Sequence, residues 1–119
     1  MDMRVEAYNV MDAIRHAGRL HTLHRHDLAS GHADEHAKYL AHTEDRNHSN
    51  PEVRDGAWLE ALCIDSGSCP CDALRKGMWG LLYDPEHGWI MHHRSVSWMG
   101  IGNYVDRNRH RVAVVVRLG

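Results

Sequence analysis

At 119 residues the chain suffices for one hydrophobic core and is short for two, so a single domain spanning residues 1–119 is expected. Hydrophobic residues make up 43% and charged residues 25%, which excludes wholesale disorder, while a mean hydropathy of -0.55 without a long apolar run excludes a membrane-spanning helix. The formal charge of -2 leaves no general footprint for nucleic acid; only Arg107, Arg109 and Arg111 cluster locally, and they read as a solvated strand and turn.

The first residues, Met1-Asp2-Met3-Arg4-Val5-Glu6, lack the basic-then-apolar order of a leader. Cys63, Cys69 and Cys71 are an odd set, which points to free thiols in a reducing cytoplasm. Residues 5–28 place Ala7, Val10, Met11, Ile14, Ala17 and Gly18 on one helical face. His21 continues that face and His24 lies at its edge, so either the rings are buried or the helix bends near Gly18. Ser30-Gly31 is a break and N-cap for a second helix over residues 32–43, striped by Ala33, Ala37, Leu40 and Ala41. Asn50-Pro51-Glu52 has the form of a helix start, and the apolar run 53–64, with Trp58, Leu62 and Ile64, predicts the most buried helix.

A fourth helix is expected over residues 70–83, with Cys71, Leu74, Met78, Leu81 and Leu82 on one face. Asp84-Pro85-Glu86-His87-Gly88 stops it with turn chemistry. From there the period changes to two, predicting strands at 89–93, 96–101 and 110–118, with turns at His92-His93-Arg94-Ser95, Gly102-Asn103 and Asp106-Arg107-Asn108. Val112, Val114, Val116 and Leu118 share one strand face. The fold class expected is α+β: about four N-terminal helices packed on one face of a small C-terminal antiparallel sheet of about three strands.

Two constellations carry chemistry. Cys69 sits at a predicted helix start, where the helix dipole favours a thiolate, and His110 opens the last strand facing the helical layer. That is a nucleophile with a base. Gly67-Ser68-Cys69, Ala73-Leu74-Arg75-Lys76 and His110-Arg111-Val112-Ala113-Val114 together resemble the transglutaminase-like cysteine proteases, in which a cysteine opens a helix and a histidine a later strand. The resemblance covers the last half of the chain and implies Cys69 as nucleophile, His110 as base and Asp106, or Asp84, as the orienting acid.

Histidine is the compositional outlier, at 12 residues. His32-Ala33-Asp34-Glu35-His36 spells H-x-x-E-H, two histidines one helical turn apart as in inverted zincins, and His21 and His24 are further donors. These four are the candidate zinc ligands; no other cofactor is implied.

Three functions follow. The leading expectation is a non-enzymatic protein that binds a macromolecular, protein partner, comparable in size and sparsity of motifs to inhibitors encoded by phages and mobile elements. A small cysteine hydrolase or transferase using Cys69 and His110 is the alternative, and a His-rich zinc module the third. Met78, Trp79, Trp89, Met91, Trp98 and Met99 read as core; exposure of several of them would instead mark a protein-binding surface.

Overall fold

The computed structural model describes residues 3–49, 54–67 and 69–119. In chain order they form α1 (Met3–Ala17), β1 (His24–Arg25), α2 (Asp27–His42), β2 (Leu59–Ser66), α3 (Pro70–Tyr83), α4 (Pro85–Met91), β3 (Trp98–Asp106) and β4 (Arg111–Leu118). The strands make one four-stranded sheet in the order β1-β3-β4-β2. The β2–β4 and β3–β4 pairs are antiparallel, and the two-residue β1 runs parallel to β3. The molecule is α+β as expected, but half of the strands precede the C-terminal hairpin and the helices cover both faces.

Alternation along β4 explains the two-sided cover. Val112, Val114, Val116 and Leu118 turn to one face, where α1, α3 and α4 supply Met11, Ile14, Leu74, Met78, Leu81 and Met91. Ala113 and Val115 turn to the other, against Ala33, Ala37, Leu40 and Ala41 of α2. Both sets are buried, so β4 is apolar on consecutive residues, as strands covered on both faces are. The result is a three-layer sandwich with a radius of gyration of 13.0 Å, close to the ~13.5 Å of one compact unit of this length.

The expected helix over 53–64 is instead the eight-residue strand β2, paired with β4 from Leu59↔Leu118 to Ser66↔Arg111. Helices on both sides make Leu59–Ile64 largely apolar, which erases the alternation that marks a strand. Its supposed start, Asn50-Pro51-Glu52, lies outside the described residues. Trp58, expected in the core, is 55% exposed, and Leu62 and Ile64 are only partly buried against the α2 layer.

The first helix ends at Ala17 rather than reaching residue 28. Arg19 takes a left-handed φ of 57° and the chain turns back to form β1. The second begins at Asp27 instead of residue 32, because the His26 ring caps it by accepting the Ala29 N–H at 3.1 Å. Residues 85–91, read as turn and strand, are a short helix whose N-cap Asp84 accepts the Glu86 N–H, with Pro85 in the first turn. Gly102-Asn103 is mid-strand, not a turn. A Cβ on Gly102 would stand 2.1 Å from the Asp34 backbone nitrogen and one on Gly100 2.5 Å from the Ala29 Cβ. These glycines are what lets α2 lie directly on the sheet.

Candidate functional site

The β3–β4 hairpin turns through residues 107–110 beside the start of α3. Asp106 Oδ1 accepts the Arg109 N–H at 3.2 Å, and His110, at φ 52°, takes the left-handed conformation that closes the turn. His110 therefore precedes the strand instead of opening it. Cys69 is the N-cap of α3, makes no capping bond with its side chain, and is exposed. Cys69 and His110 both line one cavity of about 230 Å³, together with Pro70, Ala73, Val105 and Val112.

Asp106, the acid expected to orient His110, lines the same cavity as the thiol and the imidazole. Asp106 is committed to its own turn and to Arg109, whose Nε lies 3.8 Å from Oδ2, and Asp84 caps α4. Among the described residues no acid is bonded to the His110 ring. Arg109 and Arg111 both donate to the Ala41 carbonyl, at 3.2 and 2.9 Å, clamping the C-terminal end of α2. Arg107 remains exposed on the turn.

The four histidines expected as zinc ligands form no common cluster among the described residues. His21, expected to be the buried ring, is exposed, and its Nε2 donates to the Val96 carbonyl at 2.8 Å. His24 is exposed on β1 at the sheet edge. His32 Nδ1 donates to Asp55 at 3.0 Å and His36 Nε2 to the Asn47 carbonyl at 2.8 Å. Among the described residues no three His, Cys, Asp or Glu side chains converge as metal ligands.

Sequence reasoning missed an ionic network and, of the surface described next, named only Trp89. Arg117 donates from Nε and Nη2 to both Asp55 oxygens, at 2.7 and 2.8 Å, and from Nη1 to Glu60 at 2.5 Å. Glu60 also accepts from the Ser49 amide and the His48 ring. This network fastens the connection between α2 and β2 onto the sheet. Burial by itself would raise the Asp55 carboxyl; the Arg117 guanidinium, the Ala57 amide and His32 reverse that and hold it far below the usual range.

The surface is aromatic. The His93 ring meets Trp58 edge-on, with centroids 4.9 Å apart, and Trp89 at 5.9 Å. Trp58 and Trp89 are 55% and 52% exposed. Beneath them Arg15, 1% exposed, donates to the carbonyls of His93, Met91 and His21 at 2.9, 3.3 and 3.0 Å. No carboxylate pairs with it among the described residues. Arg15 thus fixes the backbone at the end of α4, and the Ser95 N–H donates to the His93 ring Nδ1 at 3.1 Å. Of the six Met and Trp residues whose joint exposure would have marked a surface, only Trp89 is exposed; Trp79 and Trp98 are half-buried and Met78, Met91 and Met99 are core.

No family model matches the chain, and no curated protein matches its sequence. Solved structures do match its fold. An outer surface protein from Borrelia burgdorferi superposes with a TM-score of 0.74 at 18% identity, over 99% of this chain and 95% of that one. An extracellular protein containing an SCP domain from Bacillus anthracis superposes at 0.69 and 15% identity, over 96% of this chain and 39% of that one. Hookworm Platelet Inhibitor superposes at 0.60 and 16% identity, over all of this chain and 70% of that one. The class defined is therefore an α+β sandwich of the kind found in these proteins.

Proposed function

We propose that this chain is a non-enzymatic protein-binding domain whose contact surface is the Trp58–His93–Trp89 patch. The observation that carries the reading is the exposure of two tryptophans on a shared, backbone-anchored histidine. Large aromatic rings held rigidly at the surface supply contact area at little entropic cost and are enriched among the residues that dominate interfaces. One neighbour in fold bears the name platelet inhibitor, which accords with a binding role. The free thiols favour a reducing compartment, whereas two neighbours are named as outer-surface or extracellular proteins; fractionation of the source cell assigns the compartment. The functional test is capture from source-cell extract on immobilised protein. A partner retained by the wild type and by Cys69→Ser, but lost by a Trp58→Ala/Trp89→Ala variant of unchanged circular dichroism, supports the reading. Equal capture by the double variant refutes it.

The cavity shared by Cys69 and His110 favours a second reading, a cysteine hydrolase or transferase. It requires Cys69 to alkylate at pH 6.5 far faster than Cys63 or Cys71 and His110→Ala to abolish the difference. It fails if Cys69 reacts at the rate of an ordinary exposed thiol and His110→Ala leaves that rate unchanged.

A further inference from the structure

The cavity beside the β3–β4 turn has the build of a small-molecule site. Its wall is apolar: Ala73 and Val112 are buried, Pro70 and Val105 half-buried, and none of these side chains can form a hydrogen bond. Its rim is polar, with Cys69, Arg107 and His110 all exposed. An apolar lining with a few polar groups to orient the occupant is how pockets hold organic ligands. The lining is also positive. Arg107 and Arg111 stand against a single carboxylate, Asp106, which is held by the amide of Arg109 at 3.2 Å and its Nε at 3.8 Å. No hydrogen bond or ion pair engages the Arg107 side chain among the described residues. Arg111 gives Nη2 to the Ala41 carbonyl, while its buried Nε has no partner among the described residues. The start of α3 opens on the same space: its N-cap Cys69 and first residue Pro70 both line it, and the Cys69 side chain makes no capping bond. The helix dipole adds positive potential there.

We propose that this cavity binds a small organic carboxylate with a compact apolar body. Its volume of about 230 Å³ holds about eight non-hydrogen atoms at the ~30 Å³ that a water molecule takes in the liquid. A carboxylate matches the planar fork of Arg107. A phosphate would turn its further oxygens to walls that donate nothing. The site depends neither on the protein-binding reading nor on Cys69 acting as a nucleophile. Its test is calorimetric titration of the full chain with 4-methylpentanoate, an unreactive acid of this size, beside 4-methylpentanamide and acetate. The wild type should take up one equivalent of the acid. The amide, with the same shape and no charge, should bind at least tenfold more weakly, and acetate, with the charge and no body, no better than the amide. Arg107→Gln, on an exposed turn, should weaken the acid about tenfold, as loss of one charge-assisted bond does. Saturating acid should slow alkylation of Cys69 by iodoacetamide severalfold, because the thiol lines the occupied space. Absence of saturable uptake, equal affinity for acid and amide, wild-type affinity in Arg107→Gln, or an unchanged Cys69 rate at saturation would overturn the site. If Arg107→Gln fails to fold, the acid–amide contrast and the protection of Cys69 in the wild type decide.

Discussion

Arg117 carries its charge where water scarcely reaches, and the two carboxylates that meet it make that position tenable. Removing one partner leaves the others buried and uncompensated, so Arg117→Met is expected to cost roughly 3–5 kcal/mol in denaturant unfolding. The same network sets the acid response. Burial would raise the carboxyls of Asp55 and Glu60; the Arg117 guanidinium in the first, and the Ser49 hydroxyl and amide with Arg117 in the second, bring both below their ordinary values. A depressed folded value contributes stability that is complete above the unfolded range of about pH 4 and is lost as pH falls through the folded value. Melting temperature should therefore fall steadily below about pH 4, and less steeply in Asp55→Asn. A flat profile from pH 4 to 2 would contradict the network. Thiols divide in the same way: burial, then Asp65, pushes Cys63 up to about 12, so it should resist iodoacetamide at neutral pH while exposed Cys69 reacts. Little of this was legible in the chain, because Asp55, Glu60 and Arg117 meet across 57 to 62 positions of sequence. Cys69 and His110 were legible as a pair, since a helix start and a strand start are local signals and the hairpin brings them to one cavity.

At the scale of elements, contact distance decides which substitutions the sandwich tolerates. Gly102→Ala puts a Cβ into the α2 backbone and is expected to cost about 3 kcal/mol, whereas Gly31→Ala, in α2 with open space around it, should gain about 0.5–1 kcal/mol. Chemical denaturation of the two variants checks both signs. The glycines also explain a misreading: Gly102-Asn103 has turn composition, yet the glycine is there for a helix to approach a strand. Elements with a local period or cap, α3 and the β4 strand, could be read from the sequence. Strand β2 could not, because burial on both faces makes a strand and a buried helix look alike in sequence. Helix α4 was hidden because Asp84-Pro85 serves equally well as a turn and as a helix start.

At the scale of the molecule, the order β1-β3-β4-β2 with helices on both faces brings the segment before β2 and the end of α4 together, which is how Trp58 and Trp89, 31 residues apart, come to flank one ring. Trp58 reads as core in the sequence, and Trp89 stands only among six Met and Trp residues whose joint exposure would mark a surface. Tyr39 of α2, exposed and with its hydroxyl bonded to Asp45, serves as a control. The most direct measurement of the central claim is site-specific photocrosslinking, with a photoreactive phenylalanine at position 89 or at position 39, in extract of the source cell. The account predicts a discrete protein adduct from position 89, absent from position 39 and unaffected by Cys69→Ser. No adduct at position 89, or the same adduct from both positions, would contradict it.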